Sequence, residues 1–214
     1  MARKRITTAP KKTMLIVTAS EEESLFFSQM RKDCRYTNLT VQWAEGVKDE
    51  LEALILYTAR KRSHGKFNEA WLLFGFEELG ITAVDVKAIT SFAEKKKVKL
   101  AWCNPGIQLW YMLHIMAPKG YVDTAAAIDD ALPRYIPGYF PGKDFLLGAD
   151  GLNLHLALYP NKAKAAINAR SYNQMAEAKT SLPATNLVYM LNAITDNCGL
   201  ADITHNQKMI GMKR

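Results

Sequence analysis

The chain has 214 residues, 49% hydrophobic and 23% charged, enough apolar material for one substantial core or two small ones and too much for a disordered tail. Its formal charge of +7 is unevenly placed: Arg3, Lys4, Arg5, Lys11 and Lys12 put five cations and no acid in the first thirteen residues, leaving +2 for the rest. No window offers the roughly 18 uninterrupted apolar residues of a membrane span, and no signal-peptide apolar run follows the basic lead, so a cytoplasmic protein with no membrane partner is expected.

Residues 1–13 read as a flexible basic arm, and contact with nucleic-acid phosphates through its five cations is the functional expectation; the plainer one is a solubilising tail. Met14 to Thr18 is a continuous apolar run, as in a strand buried on both faces. Ser20-Glu21-Glu22-Glu23 has capping-box spacing and starts a helix carrying Leu25, Phe26, Phe27 and Met30. Leu39 to Trp43 alternates as a second strand, and Leu51, Leu54, Ile55 and Thr58 line one face of a helix ending near Arg62 to Gly65. Ala70 to Phe74, a helix marked by Val86, Ile89, Phe92 and Ala93, and Lys99 to Cys103 continue the alternation. Residues 14–104 therefore predict an open parallel α/β sheet flanked by helices, with chemistry gathered at the carboxyl ends of its strands.

Residues 105–200 predict a mainly helical continuation packed on that core, with helices over 107–116, 123–131 and 161–178 and another carrying Leu187, Met190, Leu191 and Ile194. A Pro/Gly/Tyr-rich loop spans 133–142, and 201–214 reads as a polar tail. Cys34, Cys103 and Cys198 lie far apart, without C-x-x-C spacing, and read as reduced packing residues. His64, His114, His155 and His205 lack metal-ligand spacing; His114 reads as a core residue, and His155 sits in a strand or buried helical turn with no neighbouring acid in sequence. The run Lys95-Lys96-Lys97 with Lys99 reads as a solvated helix end. Tyr135, Tyr139 and Phe140, between Arg134 and Lys143, suit either base stacking or packing of this second part. No G-x-S-x-G elbow, Walker loop or G-x-G-x-x-G fingerprint occurs.

Three segments resemble the RloB-like family, a branch of the Toprim-type nuclease folds of bacterial restriction and abortive-infection loci. Leu15 to Glu21 stands where such proteins read like I-V-C-E-G-E, Trp71 to Glu77 where they read like W-V-F-D-x-D, and Asn104-Pro105-Gly106-Ile107-Gln108-Leu109-Trp110 matches N-P-x-F-E-L-W. Fainter echoes are Tyr139 to Lys143 and Pro183 to Val188, so the likeness runs from about residue 13 to 196. The resemblance implies a Toprim-like sheet whose strand-end carboxylates hold Mg²⁺ for phosphodiester cleavage.

This chain departs from that pattern: the Glu position is Ala19, the first Asp position Gly75, the second Glu77, and the acid after Asn-Pro is Gln108. The expectation is a catalytically degenerate protein that binds nucleic acid or a protein partner in anti-phage defence, or in a phage counterpart to it. The alternative is a Mg²⁺-dependent nuclease whose site is displaced to Glu21, Glu22, Glu77 and Glu78, with Glu77 and Glu78 holding the metal. Read plainly, Glu21 to Glu23 are first-turn acids and Glu77 and Glu78 lie in a solvated loop. No other cofactor is expected. The resemblance also implies an ATPase partner.

Overall fold

The structure, a computed structural model, describes residues 12–147 and 151–203. The chain runs β1 (Met14–Thr18), α1 (Glu21–Asp33), β2 (Leu39–Trp43), α2 (Leu51–His64), β3 (Glu69–Gly75), α3 (Phe76–Leu79), α4 (Ala83–Lys95) and β4 (Lys99–Cys103). It continues through α5 (Ile107–Ile115), α6 (Ala125–Asp129), α7 (Leu154–Leu158), α8 (Lys162–Thr180) and α9 (Leu187–Cys198). The strands form one all-parallel sheet in the order β2-β1-β3-β4, with β1 between β2 and β3, and β3 between β1 and β4. The fold is α/β with a helical C-terminal part.

Alternation along the strands sorts side chains into two layers. Ile16, Trp71, Leu73 and Ala101 face a core completed by α1, α5, α8 and α9, whereas Leu15, Val17, Leu72 and Phe74 face α2 and α4. Both sides of β1 are covered, which is why all five of its residues are buried and its sequence shows no polar alternation. Helix α5 is apolar on nearly every face and is buried from Ile107 to His114 except at Gln108. It lies against α8, where Ala165, Ala169 and Ala176 leave room for close approach. The free edge of β4 is closed by side-chain mimicry of a strand: Asn186 accepts from Trp102 N (2.8 Å) and donates to Leu100 O (2.9 Å).

Three expectations need correction. The helix over 123–131 shrinks to Ala125–Asp129 because Pro133 draws the chain into a 3-10 turn at Leu132–Arg134. Glu77 and Glu78 stand on the one-turn helix α3 rather than in a loop. His155, on α7, does have an acid beside it: its Nδ1 lies 2.8 Å from Asp33 Oδ2, across 122 residues of chain. The arm residues Arg3, Lys4, Arg5 and Lys11, like His205, lie outside the described residues. No described helix is long and apolar enough to cross a membrane.

Candidate functional site

The carboxyl ends of β1, β3 and β4 open into one cleft, lined by Ser20 to Glu23, Trp43, Gly75, Glu77, Glu78, Pro105 to Gln108, Ala125 and Lys143. Helix α1 supplies its acidic wall because Ser20 caps it reciprocally: Ser20 Oγ accepts from Glu23 N and Glu23 Oε2 accepts from Ser20 N, each at 3.2 Å. That box turns Glu23 inward, to 1% exposure, and sets Glu22 beside it at 9%. Burial pushes both carboxyls up to about 8, so they are mainly protonated at pH 7. The Tyr111 hydroxyl restrains Glu22 while Asp129 and Glu78 push it higher; Glu78 also pushes Glu23. Glu23 Oε1 is buried without a hydrogen-bond partner.

Two of the other acids, Glu21 and Glu77, are engaged by protein groups. Glu21 pairs with Lys143, whose ammonium lies 5.9 Å from the Trp43 ring centroid. Glu77 accepts from Ala125 N at the start of α6, while its own N–H donates to Pro105 O at 2.9 Å. Glu78 is exposed as a residue, yet desolvation of its carboxyl raises it above the ordinary carboxylate value, and Asp49 adds to this. Gln108 Nε2 donates to Glu22 Oε2 at 3.4 Å.

Two positions lack a side-chain oxygen. Ala19 is 8% exposed and packs into the layer facing α2 and α4; its carbonyl accepts from Trp43 Nε1 at 3.1 Å. Gly75 ends β3 where a Cβ would come within 3.2 Å of Gly106 Cα and 3.4 Å of Pro105 O. The backbone after β4 leaves a side chain there only a tight fit.

A Mg²⁺ ion asks for about six oxygens at about 2.0–2.1 Å, usually one or two carboxylates and the rest water. Among the described residues no three His, Cys, Asp or Glu side chains converge closely enough to hold a metal ion. With Lys143 on Glu21, the Ala125 N–H on Glu77, and no side-chain oxygen at Ala19 or Gly75, the described side chains do not assemble a cluster that fits a divalent cation.

A family model described as "RloB-like protein" matches residues 14–194. The chain belongs to the RloB-like family. Comparison with curated proteins and with solved structures gives no match. Within this RloB-like chain the match covers every strand and all but the last residues of α9, so the cleft lies wholly inside the family region.

A second cluster, which the sequence hid, lies at the opposite, C-terminal end of α1. Asp33 Oδ1 accepts from Asn153 Nδ2 at 3.0 Å, Asp33 Oδ2 meets His155 Nδ1, and His155 Nε2 is 3.9 Å from Cys34 Sγ. Cys34 ends α1, where the helix dipole disfavours an anion, and burial pushes its thiol up to about 11. The cluster fastens α7 to α1 and leaves a neutral thiol rather than an activated nucleophile. His114 is likewise a core group: Nδ1 bonds Trp110 O at 2.9 Å, and burial lowers it to about 4.

Proposed function

We propose that this RloB-like chain is a catalytically degenerate relative of Toprim-type nucleases that acts by binding nucleic acid, in the cytoplasm, in anti-phage defence or as a phage counterpart to it. The carrying observation is that Glu21 and Glu77 are engaged by Lys143 and the Ala125 N–H, while Glu22 and Glu23 are buried. Ala19 and the tight fit at Gly75 support the same reading. The family resemblance adds an ATPase as the protein partner to seek in co-purification.

The test is to incubate purified protein with plasmid, linear duplex, single-stranded DNA and RNA in Mg²⁺ and in Mn²⁺. No cleavage is expected. Cleavage that disappears in Glu77→Gln would overturn the reading in favour of a displaced metal site.

A further inference from the structure

In a parallel sheet every crossover helix returns its C-terminus to the amino edge, opposite the cleft. Here the three returning turns share an unexpected choice. The residue in the left-handed region is Arg35 after α1 (φ 55°), Lys66 after α2 (φ 53°) and Lys97 after α4 (φ 58°). Glycine or asparagine ordinarily fills such positions, because a Cβ is strained there. All three side chains are exposed. The favourable charge at each helix end is already supplied by last-turn bases, Arg31 and Lys32 in α1, Lys61 and Arg62 in α2, and Lys95 in α4, so the dipole does not by itself call for a further cation in a strained conformation.

The bases here outnumber the acids: Glu69 pairs with Lys99 at 2.8 Å, Asp202 stands 3.9 Å from Arg35, Glu94 is exposed in the last turn of α4, and Asp33 is buried against His155. The chain also enters the fold at this edge, where Asn38 and Asn68 bind the backbone at Lys12 and Thr13, which puts the basic Lys12 there as well. We propose that the amino edge of the sheet is a phosphate-backbone surface for nucleic acid, with Arg35, Lys66 and Lys97 as its fixed contacts. This rests on the binding half of the proposed function and places that binding at the end of the molecule remote from the acidic cleft. An acidic protein is the poorer occupant, because protein interfaces concentrate aromatic and apolar anchors and are depleted of lysine. The surface carries charge without base-reading geometry, so binding is sequence-independent.

The experiment measures anisotropy of a labelled 20-base-pair DNA duplex, from about 50 to 200 mM salt, a range over which phosphate contacts change affinity steeply. It compares the full chain with the triple variant Arg35→Gly, Lys66→Gly, Lys97→Gly. Glycine relieves the left-handed strain, so lost binding in this variant is not lost folding, and an unlowered melting temperature verifies that. Each phosphate contact contributes about 0.9 to the slope of log affinity against log salt, so the triple variant should flatten the slope by nearly 3. Unchanged slope in the variant overturns the amino edge as the surface while leaving binding itself intact, and deletion of residues 2–11 then tests the arm. Absence of binding by the full chain at 50 mM salt overturns both this placement and the binding reading.

Discussion

Glu22 and Glu23 carry ordinary first-turn acid positions in the sequence, yet they behave as buried carboxylic acids, because the Ser20 box and the packing of α1 on the sheet draw them under the cleft floor. Their raised affinity for protons is a statement about stability. The unfolded chain releases these protons near the ordinary carboxylate value and the folded chain near 8, so the folded state binds more protons between those limits. Their contribution is therefore fully present below about pH 4.5 and is lost progressively as pH rises through 8. Glu22→Gln and Glu23→Gln remove the titration, and the second keeps an acceptor for Ser20 N. Urea midpoints measured at pH 5 and pH 8 should show each variant gaining on the wild type as pH rises, by on the order of a few kcal/mol at most. An equal difference at both pH values would mean that the carboxyls ionise freely in the folded protein.

The contact between the end of β3 and the turn after β4 holds the cleft in its closed form. Glu77 N–H donates to Pro105 O, Ala125 N–H binds the Glu77 carboxylate, and Gly75 leaves Gly106 Cα where a Cβ would meet it at 3.2 Å. The φ of Gly75, −89°, is one any residue adopts, so its requirement is space rather than conformation. Gly75→Ala places a methyl against backbone that cannot rotate away, and should cost about 1–3 kcal/mol, the usual range for overpacking. Equilibrium urea unfolding measures it, and a cost below 0.5 kcal/mol, within the range of a neutral surface change, would show that the turn after β4 yields easily. Such a closure also explains why restoring an acid by Gly75→Asp alone is not expected to create a metal site: the carboxylate would have to displace the turn, and Ala19 still offers no oxygen. Much of this element level was legible in the sequence. The inner strands are short continuous apolar runs, and the capping box of α1 stands in plain text at Ser20 to Glu23. The one-turn helices α3 and α7 were not, since four or five residues carry no helical period, and Asn186 closing the β4 edge has no local signal at all.

At the scale of the whole molecule the parallel sheet sorts charge by end. Acids favour helix N-termini and bases favour C-termini, and a sheet with uniformly parallel strands puts all the former at the carboxyl edge and all the latter at the amino edge. Sequence reading located the acidic members of the cleft one by one, because each follows a strand, but it placed nucleic-acid contact first in the arm, with base stacking near Tyr135 to Phe140 as a further possibility. Arg35, Lys66 and Lys97 are separated by 31 residues each and look like scattered surface charge until the three turns are superposed in space. The pairing of His155 with Asp33 was hidden by the same long separation. A polarised molecule of this kind should meet a phosphate polymer at one end only. Hydrogen exchange of the full chain with and without a 20-base-pair duplex, at about 50 mM salt where phosphate contacts are strong, should slow the amides of 31–36, 61–67 and 94–98. Amides of 20–23, 75–78 and 106–108 should exchange unchanged, because the clustered carboxylates there offer a phosphate nothing but repulsion or unpaired burial. Protection confined to the cleft would reverse the orientation and restore the carboxyl edge as the nucleic-acid face. Protection at neither end, with binding still measurable by anisotropy, would leave the arm as the whole of the interface.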